Sequence, residues 1–314
     1  MNNKGQGNRL AIILINWEHS RETIRVISQI HSWNRLEPLI IVVDNGSSRE
    51  ERDLLQKEAQ GAILVLNSLN RGFAGGNNDG INRALTEKCD YILLLNVDAE
   101  ITEESVETLL SVLENNPDLG AIGPILREGG NLFAGGRDIS RYAHTRILYE
   151  NRGSNTPLII VDYVPGTVFL VRGEVFKNVG LLSEDYFFSG EIADFCYRCR
   201  VGGRRCGVYT GCNALHHIEK GIRRDTIHPY YSLRNRFLYI RKNCKNSGIL
   251  LLVRWLASGM LHTTVAYCLG NRQLASILYL AVKDGIRGVY GNQNERIKAA
   301  CHHCNPQLEW NALA

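Results

Sequence analysis

No internal repeat and no low-complexity segment runs through this chain of 314 residues, which excludes a repeat architecture and leaves one large domain or two ordinary ones. A large excess of either charge is missing too. The 36 Lys and Arg against 32 Asp and Glu leave +4, too little by itself to describe a nucleic-acid binder. Two common phosphate-binding glycine signatures are absent. The first strand-to-helix turn, Asn16-Trp17-Glu18, has no glycine for a dinucleotide fingerprint, and the glycine-rich stretch 70–81 has no Gly-Lys-Ser/Thr of a P-loop. Residues 1–9 are polar and the apolar run 10–15 is too short for a secretory leader. The nine cysteines are odd in number and form no repeating framework. Together these predict a cytoplasmic protein with reduced thiols, most of them packed as small apolar groups.

What is present alternates strand and helix signals. LAIILI at 10–15, LIIVV at 39–43, AILVL at 62–66 and YILLL at 91–95 are continuous apolar runs, as expected of strands covered on both faces. Between them lie Ile24, Ile27 and Ile30 at helical spacing, a polar helical stretch at 49–60 and a helix opening in the glycines of 74–88. A further helix over 102–115 follows, with Thr102 as N-cap. This order predicts an α/β fold with a doubly wound, mainly parallel sheet. Over 120–190, short β runs between glycine turns predict a mixed or antiparallel β extension. A helix at about 189–202 and strand pieces near 206–218 come next. Beyond 227 the pattern is helical. The apolar stretch 249–269 is long enough to span a bilayer. Arg254, Ser258, His262, Thr263 and Thr264 inside it make insertion costly, so an interfacial helix or one packed on the domain is expected.

In a sheet of this kind ligands gather beyond the C-terminal strand ends, which here are Asn16, Asp44, Asn67 and Asn96 to Asp98. Asp44 precedes the turn Asn45-Gly46-Ser47-Ser48; it either accepts hydrogen bonds from a base or ribose, or caps the strand end. Asp98 follows YILLL and is suited to a hard cation on a diphosphate, with Glu100 nearby; a simple helix-entry turn would look the same. The stretch 70–81, NRGFAGGNNDGI, begins a helix whose backbone N–H groups can face an anion. Glu191 and Asp194 stand at i and i+3 on a helix start. Either is a candidate base, and acids are also ordinary at a helix N-terminus. His216 and His217 end a β piece; one of them is a candidate for metal or diphosphate. Cys301 and Cys304 have zinc-like spacing without a second pair. The local excess of Lys and Arg over 220–245 suits anionic lipid or phosphate.

Taken in order, VVDNGSS, NRGFAGGNNDGI, LLLNVDAEIT and GTVFLVRGEVFKNVGLLSEDYFFSGEIADFCYRCRVGG resemble the family 2 glycosyltransferases of GT-A fold, above all a bacterial rhamnosyltransferase-like subgroup. The likeness covers residue 10 to about 245, and 281–291 (AVKDGIRGVYG) is similar to tails of that subgroup. It implies a glycosyltransferase domain over 1–245, with a nucleotide-sugar half at 10–120 and an acceptor half at 121–245, and a helical, membrane-associating region over 246–314. It implies donor binding by Asn16, Asp44, Asn45, Gly72, Asn77, Asn96 and Asp98, with Asp98 holding Mg²⁺ or Mn²⁺. Gly166 and Thr167 would line the acceptor side, and His216, less so His217, would stand by the diphosphate. The implied activity is inverting transfer of a sugar such as rhamnose from a nucleoside-diphosphate sugar to a glycan or lipid-linked glycan, at the cytoplasmic face of the inner membrane, in surface polysaccharide assembly and without nucleic acid. The family's usual base position is filled by Ile192, which cannot take a proton, so either Glu191 or Asp194 substitutes, or the enzyme is slow, or it only binds. Two rivals follow. One is a binding relative without turnover. The other is a nucleotidyltransferase, which the glycine-free first turn disfavours.

Overall fold

Apolar runs become the central strands because a sheet covered on both faces needs no polar alternation. The computed structural model describes residues 9–150, 157–217 and 222–302. In chain order, β1 (Leu10–Asn16), α1 (Ser20–His31), β2 (Leu39–Asp44), α2 (Arg49–Glu58), β3 (Ile63–Leu66) and α3 (Gly72–Thr86) are followed by β4 (Tyr91–Leu95), the short β5 (Ala99–Glu100) and α4 (Glu103–Asn115). Thr102 caps α4 as expected, its hydroxyl accepting from Ser105 N at 3.2 Å. Then come β6 (Leu119–Glu128), β7 (Asn131–Gly136), β8 (Arg146–Leu148), β9 (Leu158–Ile160), β10 (Val168–Arg172), α5 (Gly173–Val179), α6 (Glu191–Val201) and β11 (Arg205–His216). The chain continues as α7 (Ile222–Asn243), α8 (Gly248–Cys268), α9 (Arg272–Arg287) and α10 (Asn294–His302).

The strands form one sheet in the order β3-β2-β1-β4-β10-β6-β11-β5, with β7 on β6, β8 on β7 and β9 on β11. β1 to β4 pair in parallel, and β3, which ends the order, is only half-buried, so the run 62–66 is not covered on both faces as expected. The mixed extension predicted for the middle of the chain is present: β10 runs antiparallel between β4 and β6. Register matters for function. Asn16 stands opposite Asp44, Thr167 lies at the entry of β10 beside the end of β4, and β5 pairs with the end of β11 so that Ala99 faces His216.

By their contacts the residues group into two compact units. The first holds 9–138, 144–150, 157–182 and 195–217, and its core is built from Ile12, Leu14, Val42, Leu93, Leu109 and Leu170 among others. The second holds 139–143, 183–194 and the described residues from 222 onward. Its centre is polar as well as apolar. Arg234 is wholly buried, and its guanidinium donates to Tyr186 O, Val289 O and Gly291 O at 3.1–3.2 Å. Buried Asp284 accepts from Tyr230 Oη and from Arg296, each at 2.7 Å. Gly285 is required by packing, since a Cβ there would meet Phe237 at 2.5 Å. Much of the segment 281–291 is therefore internal scaffolding. Cys301 joins this core beside Ile297, whereas His303 and Cys304 lie outside the described residues, as does Lys220.

Candidate active site

The first two strand ends are cross-braced. Asn16 Nδ2 donates to Asp44 Oδ1 at 3.1 Å and to Ser47 Oγ at 3.1 Å, and Asn16 Oδ1 accepts from Thr23 Oγ1 at 3.0 Å. Asp44 is fully buried and also takes Arg52 Nε at 3.1 Å. Asn45 reaches across to the next loop: its Nδ2 donates to Asn70 Oδ1 and Gly72 O, and its Oδ1 accepts from Arg71 N. Gly72 has φ +72°, a conformation that favours glycine, and opens α3. The other glycines of 70–81 serve close approach. A Cβ at Gly80 would lie 2.5 Å from Ile13 Cγ2, and one at Gly76 would press on Asn45 at 3.1 Å. Asn77 is buried, its amide donating to Phe73 O at 2.9 Å. Asn78, which sequence reading did not single out, clasps Leu182 through both N–H and carbonyl at 2.9 and 3.0 Å.

The end of β4 is different, because one polar atom there has no partner. Asn96 N donates to Thr167 O at 3.0 Å, which sets the Gly166-Thr167 turn against the Asn96-Val97-Asp98 segment. Asp98 Oδ2 lies 3.3 Å from His216 Nε2, whereas Asp98 Oδ1 is buried without a hydrogen-bond partner. The Asp98 side chain as a whole is 43% exposed, so its free oxygen stands where a hard cation arriving from the open side satisfies it. His216 is held on its other side by Glu128 Oε1, 3.0 Å from Nδ1, and Glu128 is ion-paired with Arg146. The Arg146 guanidinium sits 3.6 Å from the Phe133 ring centroid. Glu128 and Arg146 come from β6 and β8, and neither carried a motif. The available signal was an acid ending a long apolar strand, at the edge where ligands gather.

The two histidines separate cleanly. His217 Nε2 lies 3.0 Å from Glu100 Oε1, and Glu100 also takes Arg25 at 3.0 Å. The hydrogen bond from Arg25, then that from His217, hold the Glu100 carboxyl below its ordinary range. Glu100 thus faces a surface ion pair, and His216 is the histidine beside Asp98. Among the described residues no group of three His, Cys, Asp or Glu side chains converges on a metal position. A cation bridging a diphosphate needs only one or two carboxylates from the protein, so the orphaned Asp98 oxygen fits that role.

In the second unit, Glu191 and Asp194 have unlike surroundings. Asp194 Oδ1 accepts from Asn243 Nδ2 at 2.9 Å and from Tyr186 Oη at 3.2 Å. Glu191 is 5% exposed, and its Oε2 is buried with no hydrogen-bond partner. Burial pushes the Glu191 carboxyl up to about 7, against the pull of its own backbone N–H and with the help of the Asp194 charge. A carboxylate in that range suits proton removal near neutral pH. Ile192 between them is buried and apolar and cannot take a proton.

The approach to Glu191 is strained and clamped. Phe187, Ser189 and Gly190 have φ of +61°, +70° and +106°. Asn235, on α7 and 1% exposed, donates through one amide to Tyr186 O, Phe188 O and Ser189 O at 2.5–3.1 Å. Because all three partners are carbonyl oxygens, the amide orientation is fixed. Lys242 adds contacts to Ser183 Oγ and Asp185 Oδ2 at 2.6 and 2.7 Å.

The family model described as Glycosyl transferase family 2 matches residues 17–180. The low-salt glycan biosynthesis hexosyltransferase Agl10 of Haloferax volcanii is 28% identical over 244 residues, covering 73% of this chain and 74% of that protein. The dTDP-rhamnosyl transferase RfbF of Shigella flexneri is 25% identical over 272 residues, covering 80% and 87%. Among solved structures, the mannosyltransferase PcManGT from Pyrobaculum calidifontis in complex with GDP-Man and Mn²⁺ matches with a TM-score of 0.55 at 14% identity, covering 96% of this chain and 81% of that one. Likeness at that identity speaks for the fold alone, which is GT-A.

Proposed function

The chain belongs to glycosyl transferase family 2, and we propose that it moves a hexose such as rhamnose from a nucleoside-diphosphate sugar to a hydroxyl of a glycan or lipid-linked glycan, with inversion at the anomeric carbon. The observation that carries the donor half is the buried, unpartnered Oδ1 of Asp98 beside the Glu128–His216 pair. Asp98 would hold Mg²⁺ or Mn²⁺, which when bound supplies positive charge to the departing diphosphate. His216 and the Asn96 turn border the same carboxylate, and the braced Asn16, Asp44 and Asn45 support the base and ribose end of the donor. PcManGT, whose solved complex contains GDP-Man and Mn²⁺, lends support by fold.

Glu191 is the proposed base. The acceptor oxygen attacks the anomeric carbon as its proton passes to Glu191 Oε2, and the bond from that carbon to the diphosphate oxygen breaks, releasing nucleoside diphosphate. Asp194, already occupied by Tyr186 and Asn243, is a positioning residue instead. The unpartnered oxygen and raised pKa of Glu191 weigh against a relative that only binds, the rival that Ile192 suggests. A role in glycan assembly is supported by the name of the Haloferax volcanii relative, and a place at the cytoplasmic face of a membrane by the apolar, acid-poor helices after 245. The experiment is a transfer assay over a panel of sugar nucleotides with Mn²⁺. Turnover lost in Asp98→Ala supports the reading, and tight donor binding with no transfer by the native chain contradicts it.

A further inference from the structure

One line along α8 is apolar and exposed. Leu250, Val253, Ala257, Leu261 and Val265 recur every three or four residues on the solvent side, with Leu250 76% and Leu261 62% exposed. The opposite side buries Trp255, Gly259 and Ala266. Gly259 lets α9 come close, since a Cβ there would stand 2.5 Å from Val282 Cγ2. Trp255 Nε1 donates to Ser140 O at 2.6 Å, and the Arg236 guanidinium lies 4.0 Å from a Trp255 ring centroid. Polar side chains on α8 turn back to the backbone: His262 Nδ1 donates to Ser258 O, Thr263 Oγ1 to Gly259 O and Thr264 Oγ1 to Met260 O.

What covers such a face is decided by charge. From Thr226 to Lys283 the sequence has no Asp or Glu and eight Lys or Arg. Lys245, Arg254 and Arg272 are exposed at or near α8. A second copy meeting this face by two-fold symmetry would set these cations against their own equivalents. An anionic bilayer accepts the apolar line and the cations together. Crossing the bilayer is disfavoured, because it would strip Trp255 and Gly259 from their partners and carry Arg254 into hydrocarbon. Near the C-terminal end of α8, Thr263, Tyr267, Arg272, Ser276 and Tyr279 line a groove of about 520 Å³. A guanidinium, two phenols and hydroxyls without a carboxylate form a lining suited to a phosphate ester, and tyrosine favours the headgroup level.

We infer that the α8–α9 face docks flat on an anionic lipid bilayer, with α8 in the interfacial plane and the Arg272 groove taking a lipid phosphate. The inference rests on the reading that the enzyme works at a membrane surface, and on no step of the transfer. It is tested by floating the full-length protein with vesicles of phosphatidylcholine, alone or with phosphatidylglycerol. Flotation is expected only with the anionic vesicles and weakens with salt. Leu261→Glu lowers partitioning by about tenfold or more, and Arg272→Gln by about fivefold. Transfer to a water-soluble acceptor, measured in parallel, stays at the native rate in both variants. Loss of flotation with intact transfer supports the docking face, and flotation that both variants lose supports it even where transfer itself proves absent. Flotation unchanged by both substitutions overturns it. So does no flotation at all, resistance to alkaline carbonate extraction, or a dimer that Leu261→Glu dissolves.

Discussion

At the scale of single residues, the decisive contrast is between two carboxylates one helical turn apart. Glu191→Gln is expected to lower kcat by about 10²–10⁴-fold, the usual contribution of a positioned base. Asp194→Asn keeps the contacts to Tyr186 and Asn243 in part and loses less. The pH profile carries a sign. Glu191 acts as a base only when ionised, so kcat/KM rises with pH and levels off above about 7. Stability runs the other way. Burial raises this carboxyl, so its contribution to the fold is complete below the ordinary carboxylate range and is lost as pH rises through about 7. Glu191→Gln therefore unfolds at a higher temperature than the native chain at about pH 8 and close to it at about pH 4. The histidines give a second contrast: His216→Ala reduces transfer and Mn²⁺-dependent donor binding, whereas His217→Ala, at a surface ion pair with Glu100, leaves both near native. The sequence alone brought both carboxylates and both histidines to attention, because residue type and spacing are local. Residue type and spacing did not choose between members of either pair, although the family resemblance favoured His216 over His217. That choice depends on Tyr186, Asn243, Glu128 and Arg146, which arrive from distant segments.

At the scale of elements, all four apolar runs are strands, and three of them are buried on both faces as read, whereas β3 lies at the sheet edge with Leu66 40% exposed. The glycines of 70–81 were read as an anion cradle, and the structure adds that Gly76 and Gly80 let α3 lie against Asn45 and Ile13. Gly80→Ala is expected to cost about 1–3 kcal/mol in chemical denaturation, since the added methyl must displace a packed isoleucine. The α7 clamp was invisible in the sequence: nothing in ordinary asparagine spacing announces that Asn235 serves three carbonyls of another segment. Asn235→Ala leaves those carbonyls without that donor and relaxes the strained 186–190 turn. About 1–3 kcal/mol of stability is lost, and kcat falls more than donor affinity, whereas a merely structural loss would leave the kcat of the folded fraction unchanged. Short pairings such as β5 on β11 were not legible either, because two residues carry no period. Yet that pairing is what brings His216 to Asp98.

At the scale of the whole molecule, the order of elements indicated a doubly wound α/β sheet and a helical C-terminal region, and the family resemblance added the GT-A class. The helical tail that resembles the subgroup proves to be a buried polar core around Arg234 and Asp284 as much as an apolar one. Function at this scale is a linkage between donor, cation and fold: a nucleoside-diphosphate sugar with Mn²⁺ raises the melting temperature of the native chain, and removing the metal with a chelator cancels the rise. The most direct measurement of the central claim is transfer by the native enzyme, Asp98→Ala and Glu191→Gln on one sugar nucleotide with Mn²⁺, with the anomeric configuration of the product determined. The account predicts an inverted product from the native enzyme and a loss of about 10²-fold or more in each variant. A retained configuration, or a Glu191→Gln enzyme working at the native rate, would contradict it.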